Sequence, residues 1–520
     1  MKAERIEIST EEAHELLDRA KKALAGDDYQ IIKGLIDTHL LLVEALAQKN
    51  ASIKKLRKMI FGDKTEKTRN TRNGSGKKTI RQSKKKVKGH GKNGAGDYVG
   101  AETLEISHPT LQHCDPCPAC ADGKLYRQSV PGVIVRIKGA TPLQATIYKQ
   151  EKLRCNICGK VFTADLPTTA GSQKYDETAS AMLAVLRYGS GLPLNRMAKL
   201  QAALGVPLAA STGWDVLEKM ADRIHPAFTE LIRQAGQGDV IHNDDTTMKI
   251  LDLIKQDKDA LQKPERTGVF TSGILSIQND RKIALFFTGR KHAGENLAKV
   301  LAHRQNGIDP PIQMCDALSR NISKEFQTIL ANCLTHGRRY FVDVAENFPD
   351  DCLYVLETLG KVYHHEAISV EQNMTPAQRL HLHQTDSGPL MDELYYWLKE
   401  QVDDKKIEPN SSLGQAINYM RNHWQELTLF LRVEKAPLDN NICERELKMA
   451  IVHRKNSLFY KTEHGAYIGD LFMSLIHTCT FAKINPFEYL TTLQKNTSAL
   501  FANPSCWLPW NYKENLTSHA

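Results

Sequence analysis

The excess positive charge of this chain is concentrated in one segment. Residues within such a segment are poor candidates for a hydrophobic core. Residues 51–96 contain sixteen Lys or Arg residues and two acidic ones, a net charge of +14, although the 520-residue chain carries only +9. The remainder of the chain therefore carries −5. A block of like charges is typically solvated and repels itself, so it is usually unfolded on its own. From residue 63 to about 98 the segment also has no apolar periodicity, so we expect the folded parts of the chain to lie on either side of this stretch.

Composition and length narrow the class of protein. Apolar residues make up 41% and charged residues 25% of the chain, which is ordinary globular composition. The length predicts roughly three or four domains. No apolar run reaches the roughly 18–20 residues of a membrane span, and no apolar core follows the N-terminus as in a secretory signal. We expect a cytoplasmic protein of bacterial type, without a membrane partner.

The basic segment permits two interpretations. Residues 63–98 are rich in Lys, Arg, Gly, Asn and Ser, which is typical of a flexible linker. A polycation also binds nucleic acid, because it releases counterions from the phosphates. Its densest cluster is Lys84, Lys85 and Lys86. The motifs that follow the segment favour a DNA-binding arm.

Residues 1–62 are predicted to be a helical element. Seven positions alternate spacings of three and four, the pattern of a heptad seam: His39, Leu42, Leu46, Lys49, Ile53, Leu56 and Ile60. Two of the seven are polar, so a helical hairpin is as consistent with the pattern as a dimeric coiled coil. Gly62 is placed to end the helix.

Residues 99–168 carry a cysteine cluster that predicts a zinc ribbon. Two C-x-x-C knuckles, Cys117 with Cys120 and Cys155 with Cys158, supply four thiolates for one structural Zn²⁺. Disulfides are not expected in a reducing compartment. The ligand set stays open at one place, because Cys114 also makes C-x-x-C with Cys117 and His113 is adjacent.

Residues 169–236 are predicted to be helical, with helix-turn-helix spacing. A helix beginning near Leu192 is followed by a turn containing Gly205, and a second helix starts near Ser211. An ordinary pair of antiparallel helices has the same pattern. Spacing alone favours that simpler alternative.

The next part of the chain carries acidic residues at the ends of predicted strands. A strand from Val240 leads into Asp244 and Asp245, two strand-like runs and a helix follow, and a fourth short strand ends at Asp316. This order predicts a multidomain α/β protein with a ribonuclease-H-like core. In that fold the first and fourth strands are neighbours, so Asp244 and Asp316 would lie close together.

A third acid, Glu444, stands near the start of a predicted helix far downstream. Each acid has a structural alternative. Glu444 could form a capping box with Asn441, Asp245 could be a solvated acid at a strand end, and Asp316 could cap the following helix.

The chain resembles transposases of insertion-sequence family sixty-six over most of its length. The resemblance rests on motifs in a fixed order, and the Asp-Asn-Asn to Glu-Arg to Arg-Lys-Asn string is the most specific of them. The motifs are Leu56 to Gly62, the cysteine knuckles, Leu192 to Arg196, His242 to Thr246, Cys333 to Phe341, Asp439 to Arg445 and Arg454 to Phe459. Two positions depart from the family pattern: Ala317 to Arg320 replace the motif expected after Asp316, and Leu334 replaces a tryptophan.

The resemblance implies a DDE transposase that cuts and joins the DNA of element ends and target. Its triad would be Asp244, Asp316 and Glu444, holding two Mg²⁺ or Mn²⁺ ions. It also implies a homo-oligomer on DNA and accessory proteins of the same element. Residues expected to contact phosphates flank the motifs: Arg338, Arg339, Arg445, Arg454 and Lys455.

The spacing of the acids predicts the remaining domain boundaries. Residues 237–345 and 436–485 would form the two parts of the catalytic core, residues 346–435 a helical insertion, and residues 486–520 a C-terminal tail. Two other functions fit the same features. These are a non-catalytic, zinc-containing DNA-binding regulator and a ribonuclease-H-like DNA nuclease.

Overall fold

The computed structural model describes residues 10–23, 27–38, 103–106, 108–119, 123–127, 133–137, 140–154, 156, 160–260 and 266–518. Within these residues the protein is mixed α/β, with helices around a five-stranded mixed sheet and a separate two-stranded ribbon. The basic segment and the heptad positions 39–60 lie outside the described residues. None of the described helices is both long and apolar enough to cross a membrane.

The N-terminal part contains helices and short β-pairings. Helix α1 spans Thr10–Ala23, and residues 27–38 form α2. Strands β1, Lys152–Arg154, and β2, Val161–Thr163, pair antiparallel. A second antiparallel bridge joins Pro116 to Lys124. Each β-pairing therefore flanks one of the two cysteine knuckles in the sequence.

Three helices precede the central sheet: α3, Glu177–Ala184, α4, Leu194–Ala203, and α5, Ala210–Ala235. Asp176 caps α3 by accepting a hydrogen bond from Ala179 N at 2.8 Å. The turn after α4 uses Gly205 at φ 79°, a conformation that glycine adopts without a Cβ penalty. Helix α5 buries Leu217, Ile224 and Leu231 in the main core.

The central sheet has the strand order β5-β4-β3-β6-β7. Its strands are β3 Val240–Thr247, β4 Phe270–Gln278, β5 Arg281–Gly289, β6 Ile312–Cys315 and β7 Ile329–Asn332. Strand β4 is antiparallel to both β3 and β5, whereas β6 and β7 run parallel to β3. Helix α6, Leu251–Asp259, follows β3, and α7, Ala293–Leu301, connects β5 to β6. The pairing of β3 with β6 is the neighbour relationship that the sequence predicted.

Six helices follow the sheet before the chain returns to it. They are α8 Leu334–Val344, α9 Pro349–Glu371, α10 Pro376–Leu382, α11 Gly388–Asp403, α12 Ser412–Asn422 and α13 Trp424–Leu427. Their apolar residues form a second core that includes Val240 and Met314 from the sheet. Ile241, the next residue of β3, belongs to the main core instead. Because side chains alternate along a strand, the two cores lie on opposite faces of the sheet.

Five helices complete the chain: α14 Asn441–Ser457, α15 Glu463–Phe481, α16 Pro486–Lys495, α17 Thr497–Ala502 and α18 Tyr512–Ser518. Helix α14 contacts β3 and β4, and α15 contacts β5. Trp507 of the C-terminal segment is buried in the main core, and its carbonyl accepts a hydrogen bond from Tyr489 Oη at 2.8 Å.

Helix α15 closes the β5 edge of the sheet with side chains. The N–H groups of Ala284, Phe286 and Thr288 donate to Thr478 Oγ1, Ser474 Oγ and Asp470 Oδ2, at 3.2, 3.0 and 2.6 Å. Alternate residues of an edge strand expose their N–H groups, and acceptors four residues apart on a helix lie on one face. The helix therefore occupies donors that another strand would otherwise use.

We expect Ser474→Ala to destabilise the protein by about 1–3 kcal/mol, because it leaves the buried Phe286 N–H without an acceptor. Urea denaturation of the variant and of Ser505→Ala, whose exposed hydroxyl bonds only Asn503, would measure the difference. Equal unfolding midpoints for the two variants would contradict the role of Ser474 at this edge.

Asp470 makes the stability of this edge pH-dependent. Burial raises the pKa of Asp470 to about 7, although hydrogen bonds from Thr288 oppose the shift. The unfolded carboxyl ionises near pH 3.8 while the folded one stays protonated, so its contribution falls as pH rises from about 4 to 7. The loss is on the order of 4 kcal/mol. We expect Asp470→Asn to remove it, because an amide can donate to Thr288 Oγ1, which can in turn donate to Thr271.

Comparing the unfolding free energies of the wild type and Asp470→Asn between pH 4 and 8 tests this expectation. The variant should gain stability relative to the wild type across that range and reach a constant advantage above pH 7. Parallel pH profiles for the two proteins would show that Asp470 ionises normally.

Candidate active site

Asp244 lies on β3, at a point where a helix packs closely over the sheet. It is opposite Gly273 of β4, and a Cβ atom at Gly273 would meet Leu447 of α14 at 2.9 Å. Cys443 of α14 donates to the carbonyl of Gly273 at 3.5 Å. The missing side chain at Gly273 therefore lets α14 approach the strand that carries Asp244.

Asp316 follows the end of β6, the strand that pairs in parallel with β3. One amide group joins the two acids: Asn321 Nδ2 donates to Asp316 Oδ1 at 2.5 Å and lies 3.4 Å from Asp244 Oδ1. The backbone carbonyl of Asn321 accepts from Asn243 Nδ2 and Gln313 Nε2, both at 2.7 Å. Neighbouring parallel strands thus bring Asp244 and Asp316 to the same place, as the sequence predicted.

The electrostatics of Asp244 reflect this crowding. Burial, followed by the negative charge of Asp316, raises its pKa to about 7. The hydrogen bond from Asp245 N at 2.7 Å opposes the shift, and the charges of Asp245 and Glu444 add to it. A bound cation would favour ionised Asp244, because it supplies the opposite charge that this site lacks.

Glu444 reaches the site from the first turn of α14, whose start is fixed by Asn440. The buried Asn440 side chain donates to the carbonyl of Asn243 at 3.1 Å and accepts from His242 Nδ1 at 3.0 Å. Its backbone N–H donates to Cys333 Sγ at 3.2 Å. Asn440 therefore links α14 both to the strand of Asp244 and to the start of α8.

Glu444 faces His336 of α8. His336 Nδ1 and Glu444 Oε1 are 3.9 Å apart, and neither atom has a hydrogen-bond partner among the described residues. The buried thiol of Cys333 lies beside them, and the ligand atoms of the three side chains are all within 4.8 Å of one another. The sequence had marked Cys333 only as part of a family motif.

The structural alternatives have different outcomes. The capping box is wrong, because α14 begins at Asn441 itself and has no side-chain cap. Asp245 is not a solvated strand end, since its side chain is only 1% exposed and contacts His292 Nδ1 at 2.8 Å and Arg320 Nη2 at 3.4 Å. Asp316 does accept from Leu318 N at 3.3 Å, at the start of a short 3₁₀ turn. That bond coexists with the one to Asn321.

The predicted phosphate-binding residues differ in what they contact. Arg339, Arg445 and Lys455 are exposed, and Arg338 is half-buried near Tyr363. Arg454 instead donates to Thr246 and Thr247, so its guanidinium holds the end of β3. Lys84, Lys85 and Lys86 lie outside the described residues.

Three of the four predicted zinc ligands, Cys120, Cys155 and Cys158, also lie outside the described residues. The first knuckle is described at Cys117, whose N–H donates to the carbonyl of Gly123 at 2.7 Å. The alternative ligands are adjacent, with His113 Nδ1 at 3.4 Å from Cys114 Sγ. The choice among these ligands stays a prediction.

Comparison with known proteins agrees with the motifs. Residues 173–468, more than half of the chain, match the family described as Transposase IS66 family. The chain belongs to this family. The match begins just before α3 and ends within α15, so it contains all three acids. The resemblance noted from the sequence is thereby confirmed.

Similar proteins occur in Sinorhizobium fredii (strain NBRC 101917 / NGR234). Uncharacterized protein y4jD is 25% identical over 439 residues, which are 80% of this IS66-family chain and 81% of the relative. Uncharacterized protein y4hP is 23% identical over 450 residues, 80% of this chain and 76% of the relative. The similarity therefore extends beyond the matched family segment.

Sequence reasoning missed several polar residues that organise the site. Asn321 follows directly after the stretch that departs from the family pattern, and its contact with Asp244 depends on the pairing of β3 with β6. The sequence did contain one usable signal for Asn440, which lies inside the most specific motif. Nothing in the spacing indicated that His292 and Arg320 would bind Asp245.

Proposed function

We propose that this IS66-family protein is a DDE transposase that cuts and joins the ends of an insertion sequence. The observation that carries the proposal is the meeting of Asp244 and Asp316 on one amide, within the electrostatic reach of Glu444. Three acids from distant parts of the chain have no shared structural purpose that would explain this proximity. Like charges brought together in a cleft are typical of a functional site.

The topology supports a ribonuclease-H-like core as the scaffold. An antiparallel run of three strands, a helix and a fourth strand that pairs in parallel with the first occur in this order, with α6 inserted between the first two strands. Only a 3₁₀ turn, Ser319–Asn321, is assigned between β6 and β7. We propose the domain boundaries given above, with residues 346–435 as an insertion in the catalytic core.

The acids fit divalent ions with oxygen ligands. Their donor set consists of carboxylates, which suits Mg²⁺ or Mn²⁺. Among the described residues, Glu444 Oε1 is buried without a hydrogen-bond partner, and burial and neighbouring negative charges disfavour ionised Asp244. Asp244, Asp316 and Glu444 would hold two such ions, which would supply Lewis-acid activation of the attacking oxygen and stabilisation of the leaving oxygen.

The surrounding residues would position the acids and bind the DNA for this reaction. Asn321 Nδ2 contacts the carboxyls of both Asp244 and Asp316, and Asn440 fixes the helix that carries Glu444. Exposed Arg445 and Lys455 on α14 would bind backbone phosphates. Water, then a freed 3′-hydroxyl, would attack the phosphodiester, so no covalent protein nucleophile is required.

The decisive experiment incubates the purified full chain with Mg²⁺ and DNA that carries the inverted repeats flanking its gene. We expect 3′-hydroxyl ends to be released and then joined to target DNA. Release without joining would indicate the ribonuclease-H-like nuclease instead. Binding without release under any metal condition would indicate the non-catalytic regulator. The assay should be repeated with accessory proteins of the same element and at several protein concentrations, since we also propose a homo-oligomer on DNA.

We propose that Cys117, Cys120, Cys155 and Cys158 hold one structural Zn²⁺. The described β-pairings on either side of the knuckles support this, because zinc knuckles sit at tight β-turns. Metal content should fall by one zinc per chain in the variant that combines Cys117→Ser with Cys155→Ser. Unchanged zinc content in that variant would refute these ligands.

The proposed DNA-binding arm predicts a salt-dependent effect. Replacing residues 63–96 by a Gly/Ser linker of equal length should weaken DNA binding and flatten the dependence of log Kd on log salt. Fluorescence anisotropy across a salt series measures both quantities, and the equal length keeps the spacing between domains. If neither changes, the segment is only a linker.

A further inference from the structure

We propose that Cys333, His336 and Glu444 form a third metal site, selective for a borderline-soft ion such as Zn²⁺, which shares Glu444 with the proposed catalytic site. Their ligand atoms, a thiol sulfur, an imidazole nitrogen and a carboxylate oxygen, are all within 4.8 Å of one another. This mixed donor set suits Zn²⁺, whereas an all-carboxylate set suits Mg²⁺.

Two short, ordered segments bring these ligands together. Cys333 is the N-cap of α8, and His336 N donates to the Cys333 carbonyl at 3.1 Å within the first turn. Glu444 lies in the first turn of α14, one turn after Asn440. Leu334 N also donates to the carbonyl of Leu438 at 3.0 Å, so the starts of the two helices are joined by backbone.

The orphaned polar atoms point to an occupant between the side chains. His336 Nδ1 and Glu444 Oε1 face each other at 3.9 Å, which is too long for a hydrogen bond, and both are buried without a partner among the described residues. Buried polar atoms normally have partners. Bonds of about 2.0–2.3 Å to zinc would need the ligand atoms to close by roughly 1 Å.

The surroundings of the sulfur also suit a metal ligand. Asn440 N donates to Cys333 Sγ at 3.2 Å, the kind of outer hydrogen bond that supports a metal-bound thiolate. Three protein ligands leave a fourth position of a tetrahedral ion for water. Binding would transfer the thiol proton to solvent, so zinc affinity should increase with pH.

Because Glu444 belongs to both proposed sites, zinc binding would regulate DNA cleavage. This inference rests on the proposed transposase function. Zinc bound by Cys333 and His336 would draw the carboxylate of Glu444 toward these two residues and away from Asp244 and Asp316. Zinc would then inhibit cleavage supported by Mg²⁺. The inhibition should depend on Cys333, which the proposed reaction itself does not use.

Cobalt substitution tests the site without reference to activity. We would titrate the full chain with Co²⁺ and record the thiolate-to-cobalt charge-transfer band, which an oxygen-only site cannot produce. Cys333→Ser should remove one cobalt equivalent with its share of the band, and His336→Gln should weaken that equivalent at least about tenfold. Cys352→Ser is the matched control, because Cys352 is equally buried in the same core but belongs to α9.

The cobalt readings decide the proposal. Identical cobalt number and charge-transfer intensity in the wild type, Cys333→Ser and His336→Gln would overturn the site. His336→Gln keeps the test sharp if Cys333→Ser fails to fold, because His336 is only half-buried.

Zinc inhibition of cleavage is measured separately, relative to the zinc-free rate of each variant. The zinc concentration for half-inhibition should rise at least about tenfold in His336→Gln. A cobalt band that depends on Cys333, with no DNA cleavage, would support the metal site and refute the transposase proposal. Cleavage without such a band would do the reverse.

Discussion

Replacing Asp244 with asparagine is expected to abolish DNA cleavage while making the metal-free protein more stable. The amide can still accept the hydrogen bond from Asp245 N, so the geometry is retained. Activity should fall by roughly three or more orders of magnitude, as when one member of a cooperating catalytic set is removed. DNA binding should persist, because the change removes a negative charge.

The asparagine variant gains stability because it lacks the buried negative charge that Asp244 carries in the metal-free wild type. Burial and the nearby Asp316 raise the pKa of Asp244 from 3.8 to about 7, so the stability of the metal-free protein falls as pH rises from about 4 to 7. The asparagine variant should therefore be more stable by about 1–4 kcal/mol at pH 8 without metal. Mg²⁺ should stabilise the wild type and leave the variant almost unaffected.

Thermal unfolding with and without Mg²⁺, alongside the cleavage assay, measures these effects. Asp280→Asn is a matched control, because Asp280 is an exposed acid in the turn between β4 and β5. Asp316→Asn and Glu444→Gln should lose cleavage in the same way. Cleavage that survives in all three acid variants would overturn the assignment of the site.

The second large effect is expected for Asn440→Ala, which should lower the stability of the folded protein. Asn440→Ala leaves the buried N–H of His242 and the carbonyl of Asn243 without their partner. Each unsatisfied group costs about 1–3 kcal/mol, so the free energy of unfolding should fall by roughly 2–5 kcal/mol. Cleavage should fall as well, because α14 no longer holds Glu444 against β3.

Asn441→Ala provides the control for this variant. Asn441 is half-buried and its side chain bonds only Asp439, so the expected loss is about 1 kcal/mol or less. Guanidinium denaturation of both variants gives the comparison. Similar losses of stability in the two would show that the bonds of Asn440 are not what fixes α14.

The neighbourhood of two acids could be predicted from local patterns. Each of Asp244 and Asp316 lies at or beyond the apolar part of a short strand, and the intervening strands and helix determine that these two strands pair. The segment from Asp439 to Glu444 could be recognised only through a family motif. Its position beside the sheet depends on the chain returning to the sheet after six helices, and no periodicity in the sequence predicts that return.

The side-chain contacts that position the acids could not be predicted from the sequence. Asn321, Asn440 and His336 are ordinary polar residues in the sequence, and each acquires its role from a partner far away in the chain. The same holds for Arg454, which the sequence assigned to phosphate and the fold binds to Thr246 and Thr247. A side chain with several donors takes whichever acceptors the fold brings near it.

The sequence by itself determined the concentration of positive charge in one segment, the order of the strands and the family. These follow from composition, alternation and motif order, which are local properties of the chain. Only the tertiary structure decided that one amide would hold two acids, that α15 would close the sheet edge and that Glu444 would face His336. Hydrogen bonds and charge interactions act over a few ångströms, so residues far apart in sequence acquire them only after the strands and helices have packed.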